Sequence, residues 1–126
     1  MTSFSGYKIA VLASNGFDEA QFLAVQKHIQ TMGAHMALVS SNQGLVNGWN
    51  GSGWGHNYAV DAPLNTSLGV DYDAVVVIGG ERSLEKLKLT AHTRRFINSF
   101  IGAEKPVCLM GDAAFLMRDL EMSEGQ

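Results

Sequence analysis

The sequence lacks the features that mark most secreted and membrane-spanning proteins. Its only cysteine is Cys108, which excludes an internal disulfide framework and favours a reducing compartment. No apolar run approaches the roughly 20 residues that a membrane-spanning helix needs. Residues 1–6 do not show the charged segment followed by an apolar segment that is typical of a secretory signal. We therefore predict a cytoplasmic protein that does not bind a membrane.

A basic patch is also missing. The formal net charge is −3 and the pI is about 5.7, and Arg94–Arg95 is the only adjacent pair of basic residues. Proteins that bind nucleic acid through its phosphates usually carry clustered Lys and Arg side chains. No nucleic-acid partner is predicted.

The familiar nucleotide and metal motifs do not occur. Neither GxxxxGK[ST] nor GxGxxG is found, and the first turn after an apolar segment reads Ser14-Asn15-Gly16-Phe17. The four histidines form neither HxH nor HExxH, and Cys108 has no CxxC partner. We predict no metal and no cofactor, and we keep a small nucleotide- or flavin-binding module only as a second alternative.

Apolar segments with strand character alternate with segments of helical periodicity. Hydrophobic residues make up 46% of the chain and charged residues 17%, a balance that predicts one globular domain over residues 1–126. Strands are predicted over residues 7–13, 34–40, 72–78 and 106–110, and helices over residues 17–32, 82–88, 91–101 and 113–120. This alternation predicts an α/β fold, a flavodoxin-like three-layer sandwich whose open, mostly parallel sheet carries helices on both faces.

Residues 42–58 differ from the rest of the chain. They contain five glycines and both tryptophans, Trp49 and Trp54, which predicts a glycine-rich β-hairpin after the second strand. The two tryptophans either face a partner or hold the hairpin against the core.

Ligands of open parallel sheets bind at the carboxyl ends of the strands. In this sequence those ends fall at residues 14–19, 79–81 and 111–112. These three turns are therefore the predicted site.

Two segments carry a family resemblance. The order of elements, together with YDAVVVIGG at residues 72–80 and KPVCLMGDAAFL at residues 105–116, resembles the ThiJ/PfpI superfamily of the class-I glutamine-amidotransferase-like fold. The resemblance implies a cysteine followed by a histidine on a sharp turn after the last of these strands. It also implies a glutamate from the first helix beside the cysteine, and an oxyanion site after the Gly-Gly pair.

The chain departs from that pattern at each implied catalytic position. Gly111 stands where the family has cysteine, Asp112 where it has histidine, and Gln21 where it has glutamate. Cys108 lies three positions too early and is expected to be a buried strand residue. Without a thiolate the family's covalent chemistry is unavailable.

A second resemblance is more specific. KPVCLMGDAAFL is similar to the C-terminal domain of large-subunit catalases, which has a Gly-Asp-Ala turn and no active cysteine. Family members usually continue past the helix that follows this turn with another strand pair and a closing helix, so we expect a domain that is short at its C-terminus. The sheet edge left uncovered predicts a homo-oligomer, most simply a dimer.

Several site residues have two interpretations. Asp112 is an acid, base or ligand at the cleft, or it caps the last helix. Asp18 and Glu19 are paired acids for metal or proton chemistry, or they complement a helix dipole. The turn formed by Gly79, Gly80 and Glu81 binds a small anion, or it is a plain strand-to-helix turn. Among the histidines, only His56 is a candidate for the cleft.

Taken together, the residues predict a non-catalytic domain with a structural, oligomerising or small-ligand-sensing role. The alternative is a cysteine-independent hydrolase, lyase or glyoxalase-like enzyme that uses Asp112.

Overall fold

The structure, a computed structural model, describes residues 6–41 and 44–111. The described elements are β1 (Lys8–Leu12), β2 (Phe17–Asp18), α1 (Glu19–Met32), β3 (His35–Ser40), β4 (Leu45–Trp49), β5 (Trp54–Ala59), β6 (Ala62–Pro63), β7 (Ala74–Val77), α2 (Glu81–Lys88), α3 (Ala91–Gly102) and β8 (Val107–Leu109). The predicted helix over residues 113–120 and Asp112 lie outside the described residues.

Five parallel strands form the main sheet in the order β6-β3-β1-β7-β8. The chain moves from β1 outward to β3 and then crosses to β7 on the other side of β1. The gap between the carboxyl ends of β1 and β7 is therefore the topological switch point, where folds of this type place their ligands. The predicted α/β class and parallel sheet are confirmed.

Helices cover both faces of the sheet. On one face, α2 and α3 bury Leu84, Leu87 and Phe96 against Val75 and Val77 of β7. On the other face, α1 and the hairpin bury the side chains Phe22, Ile29 and Val46 against Ile9 and Val11 of β1. The sheet is thus the middle layer of three, as predicted.

The end of α1 and the start of α3 were both predicted, and each has a local cause. Gly33 ends α1 in the left-handed conformation, with φ 81° and ψ 9°. The Thr90 side chain caps α3 by accepting a hydrogen bond from the His92 backbone N–H at 3.2 Å. Helix α1 begins two residues later than predicted, because Phe17 and Asp18 pair with β4 as a short strand.

The predicted hairpin is present. Strands β4 and β5 pair antiparallel and, together with β2, form a separate three-stranded sheet in the order β2-β4-β5. Tyr58 of β5 packs edge-on to Phe22 of α1, with 4.8 Å between the ring centroids. The hairpin therefore folds back over the first helix, where it borders the switch point.

The expectation that Cys108 is buried is wrong. Its side chain is exposed, because β8 is the edge strand of the described sheet. The residue lines an apolar groove of about 360 Å³ between α1 and β8, together with Val76 and Met110. None of the helices in the described part of the chain has the length and apolar character that crossing a bilayer requires.

Candidate functional site

The carboxyl ends of β1 and β7 are held together by backbone contacts. The Asp18 N–H donates to the Gly79 carbonyl at 2.8 Å. Gly80 has φ 121°, and a Cβ atom built on it would lie 2.7 Å from the Gly16 carbonyl oxygen and 2.8 Å from the Asp18 nitrogen. The glycine at position 80 is therefore required for the close approach of two backbone segments. The main chain of residues 16–18 lies directly against this turn.

Gln21 lies between the two turns that carry the family motif. Its Oε1 accepts a hydrogen bond from the Gly79 N–H at 2.9 Å. Its Nε2 lies so close to Gly111 that a Cβ atom at position 111 would collide with it. Gly111 itself has φ 54°, in the left-handed region. A side chain at position 111 would therefore require the end of the Gln21 side chain to move.

Asp18 is half-buried and Glu81 is exposed. Asp18 is the N-cap of α1, and its Oδ1 accepts from the Gln21 N–H at 3.1 Å. Glu81 begins α2 and is exposed. The Gly79 N–H is engaged by Gln21, so it is not a free donor for an anion.

Glu19 has a setting that the sequence did not predict. It is buried, and its Oε2 accepts three hydrogen bonds: from Tyr58 Oη at 2.6 Å, from His56 Nδ1 at 2.9 Å and from the His56 backbone N–H at 3.1 Å. We call these three residues the Glu19 cluster. It fixes strand β5 of the hairpin to the first turn of α1.

The cluster changes the ionisation of its members. The hydrogen bond from Tyr58, followed by those from His56, lowers the pKa of Glu19 below its usual value. Burial and the neighbouring carboxylate raise the pKa of Tyr58 to about 12. The ionised carboxylate can only accept, so His56 Nδ1 is the protonated nitrogen and Nε2 faces solvent. The His56 side chain is 86% exposed, which leaves no enclosed space for chemistry at Nε2.

Tyr58 and Arg82 are site residues that sequence reasoning missed. Tyr58 follows His56 by two positions on β5, and this period-two spacing was the available signal because it places both side chains on one face of the strand. Arg82 carries no comparable signal. Its guanidinium lies 3.8 Å from the centroid of the Trp49 ring, and Trp49 in turn meets Trp54 edge-on at 5.3 Å.

A cleft opens between the hairpin and the first turns of α1 and α2. Its volume is about 500 Å³, within the range of small-ligand sites. Leu23 and Trp49 form apolar walls, and Asp18, Glu81 and Arg82 supply charge. Of the predicted cleft residues, Asp18, Glu19, Gly80 and Glu81 line it. Gln21 and Gly79 instead bond to each other, and the His56 side chain bonds to Glu19 without lining the cleft.

The polar groups nearest the switch point are otherwise engaged in structure. The Ser14 N–H donates to Ser83 Oγ at 2.8 Å, and the Ser14 and Ser41 hydroxyls share a hydrogen bond of 2.9 Å. Across residues 6–41 and 44–111, no three His, Cys, Asp or Glu side chains are grouped as a metal site would require.

The chain was compared with known families and curated proteins. The DJ-1/PfpI family model matches residues 7–126. The chain is 31% identical to catalase HPII of Mycobacterium avium over 111 residues, which is 88% of this chain and 15% of the catalase. This match confirms the predicted resemblance to large-subunit catalases.

Solved structures share the fold. A two-domain protein of Anabaena variabilis, with DJ-1/ThiJ/PfpI-like and ferritin-like domains, superposes with a TM-score of 0.83 at 18% identity, covering 95% of this chain and 34% of that one. A ThiJ/PfpI domain protein of Brachyspira murdochii gives a TM-score of 0.79 at 19% identity, covering 94% of this chain and 65% of that one. The chain spans less than two thirds of the length of each of these three proteins.

Proposed function

Because this chain belongs to the DJ-1/PfpI family, we propose that it retains the family scaffold without its covalent chemistry and acts as a structural domain that associates with itself. The position of the Gln21 carboxamide carries the proposal. A nucleophile at the turn needs a side chain at position 111, and a side chain there would require the Gln21 carboxamide, which is hydrogen-bonded to Gly79, to move. The Gly79 N–H at the end of β7 donates to Gln21 Oε1 and is therefore not available to an oxyanion.

The residues present at the turn support the same view. Gly111 has no side chain to act as a nucleophile, and the Gln21 carboxamide does not ionise near neutral pH and so cannot serve as a general acid or base. The only thiol, Cys108, points into the groove beside α1, on the edge strand. None of these three residues supplies the activated nucleophile with an adjacent base that covalent catalysis requires.

A second candidate function is the sensing of a small ligand. The cleft of about 500 Å³ beside α1 and α2 favours it, because Leu23 and Trp49 offer apolar contact while Asp18 and Arg82 supply charge. A library of small aromatic compounds screened by ligand-observed NMR tests this candidate. A hit that loses binding in Trp49→Ala and keeps it in Tyr7→Ala supports it.

The filled turn predicts that a thiol introduced at position 111 is poorly reactive. In a Cys108→Ser background, Gly111→Cys provides a single thiol against the Gln21 amide. We expect iodoacetamide to alkylate it at least about tenfold more slowly in the native state than in urea. The Gln21→Ala variant lacks the neighbouring carboxamide and should restore most of the alkylation rate of the thiol at position 111.

Wild-type Cys108, which is exposed, provides the reference for a reactive thiol on the same fold. Circular dichroism checks that each variant is folded. If the Gly111→Cys thiol reacts as fast as Cys108 while Gln21 is intact, the site is open and the proposal loses its main support.

A further inference from the structure

The outward face of helix α2 has an ordered set of charges. Ser83, Leu84 and Leu87 are buried against the core, and the other face is exposed. We call that exposed set the α2 outer face; it consists of Glu81, Arg82, Glu85, Lys86 and Leu89. These positions lie within one side of the helix because successive residues are separated by about 100°.

The hairpin adds an aromatic wall to this face. Trp54 and the α2 outer face border a groove of about 560 Å³. Trp54 is 53% exposed and Leu89 is 86% exposed. Arg82 is held against the Trp49 ring, 3.8 Å from its centroid. Tryptophan and arginine are the residues most enriched at the energetic centres of protein interfaces.

We infer that the α2 outer face binds the same face of a second copy of this chain, with the two helices antiparallel about a two-fold axis. An axis midway between residues 83 and 84 places Glu81 opposite Lys86 of the second copy. The same axis places Arg82 opposite Glu85 of the second copy. Every charge then meets its opposite, and symmetry repeats both pairs, so the interface contains four favourable contacts.

The order of charges selects this occupant and this orientation. A parallel arrangement would put glutamate against glutamate and arginine against arginine, which is repulsive. A strongly acidic or basic partner would favour a face of one sign, whereas this face carries two acids and two bases. The existing pair between Lys88 and Glu85, 3.0 Å apart, joins a half-buried lysine to an exposed glutamate on one helix, and a contact of this kind is too weak to prevent the new one.

The apolar residues fit the same orientation. Leu89 follows the last turn of α2, so antiparallel pairing carries it past the first turn of the other helix. Arg82 and the two tryptophans, which meet edge-on, lie near that first turn. Leu89 of the second copy therefore approaches the wall that Trp54 forms. The inference rests on the self-association proposed above and names its surface.

Charge reversal on α2 tests the surface by sedimentation velocity over a concentration series. Glu81→Lys and Lys86→Glu each create two like-charge contacts per dimer, and each should raise the dimer Kd at least about tenfold, or 1.4 kcal/mol. The double variant Glu81→Lys/Lys86→Glu restores opposite charges and should return the Kd to within about threefold of wild type. Lys27→Glu reverses an exposed charge on α1 in the same direction as Lys86→Glu does, and it should leave the dimer Kd unchanged.

Mixing the two single variants separates a two-copy interface from any other. The Glu81→Lys variant has lysine at both positions 81 and 86, and the Lys86→Glu variant has glutamate at both. An equimolar mixture should therefore form heterodimers that are tighter than the homodimers of either variant. A wild-type dimer that both reversals leave intact overturns the surface but keeps self-association. A wild-type chain that is monomeric at every concentration overturns both and leaves the face to a different partner.

Discussion

Replacing Glu19 by alanine is expected to lower the free energy of unfolding by about 3 kcal/mol, since a hydrogen bond to a charged group contributes roughly 1.5–3 kcal/mol. The carboxylate accepts from Tyr58 Oη and from two groups of His56, and all three donors lose their acceptor in the variant. Tyr58→Phe removes one bond and keeps the ring packed against Phe22, so it should cost about 1 kcal/mol. Urea unfolding measures both values.

The contribution of Glu19 to the free energy of unfolding should decrease at acidic pH. Its pKa is lower in the folded chain than in the unfolded chain. The stabilisation is therefore fully present above the ordinary glutamate pKa and is lost as the pH falls through the folded value. The difference in unfolding free energy between wild type and Glu19→Gln, which cannot ionise, should narrow over that acidic range.

An exposed carboxylate provides the control for this pH series. Glu104→Gln removes a charge of the same sign from an exposed position and should change the free energy of unfolding only slightly. If the Glu19→Gln difference stays constant from neutral to acidic pH, the carboxylate is not ionised in the way the cluster requires.

Gly80→Ala is expected to destabilise the chain by about 3 kcal/mol or more, because strain and collision add. The residue has φ 121°, which side chains rarely adopt, and the new Cβ would meet the main chain of residues 16–18. Main-chain atoms cannot move aside as the end of a long side chain can. Either β7 or the loop after β1 must shift, which also displaces Gln21 from Gly79.

A second glycine separates the backbone strain from the collision of the new Cβ atom. Gly51 has φ 101°, and a Cβ there meets nothing within 4 Å. Gly51→Ala therefore measures the conformational strain alone, about 1–2 kcal/mol. Equal losses for the two variants, measured by urea unfolding, would show that the close approach at Gly80 contributes nothing.

The layout of the fold was accessible from sequence because it depends on local patterns. The period of apolar residues predicted the strand at residues 72–78 and the helix ending at Gly33, and both are present. Alternation of strands and helices then determined the parallel sheet. The resemblance to a known family predicted that Gln21 of the first helix lies beside the turn at Gly111, and the two residues are neighbours in the structure.

The contacts of the site were not accessible in this way, because they join distant positions. Glu19 and His56 are 37 residues apart, and nothing local indicates that the hairpin folds back over α1. The stacking of Arg82 on Trp49 depends on the same fold-back. Cys108 was misplaced for a related reason: an apolar strand sequence looks the same at the edge of a sheet as at its centre.

The strand-end turn is proposed to support no catalysis. Measurement of steady-state turnover tests this most directly. Wild type and Asp112→Ala are assayed side by side for amidase, peptidase and methylglyoxal-consuming activity. Asp112 is the remaining candidate acid or base at this turn and lies outside the described residues. We expect both proteins to give the rate of buffer alone with every substrate. Turnover by wild type that disappears in Asp112→Ala would contradict the account and identify an enzyme that works without the cysteine.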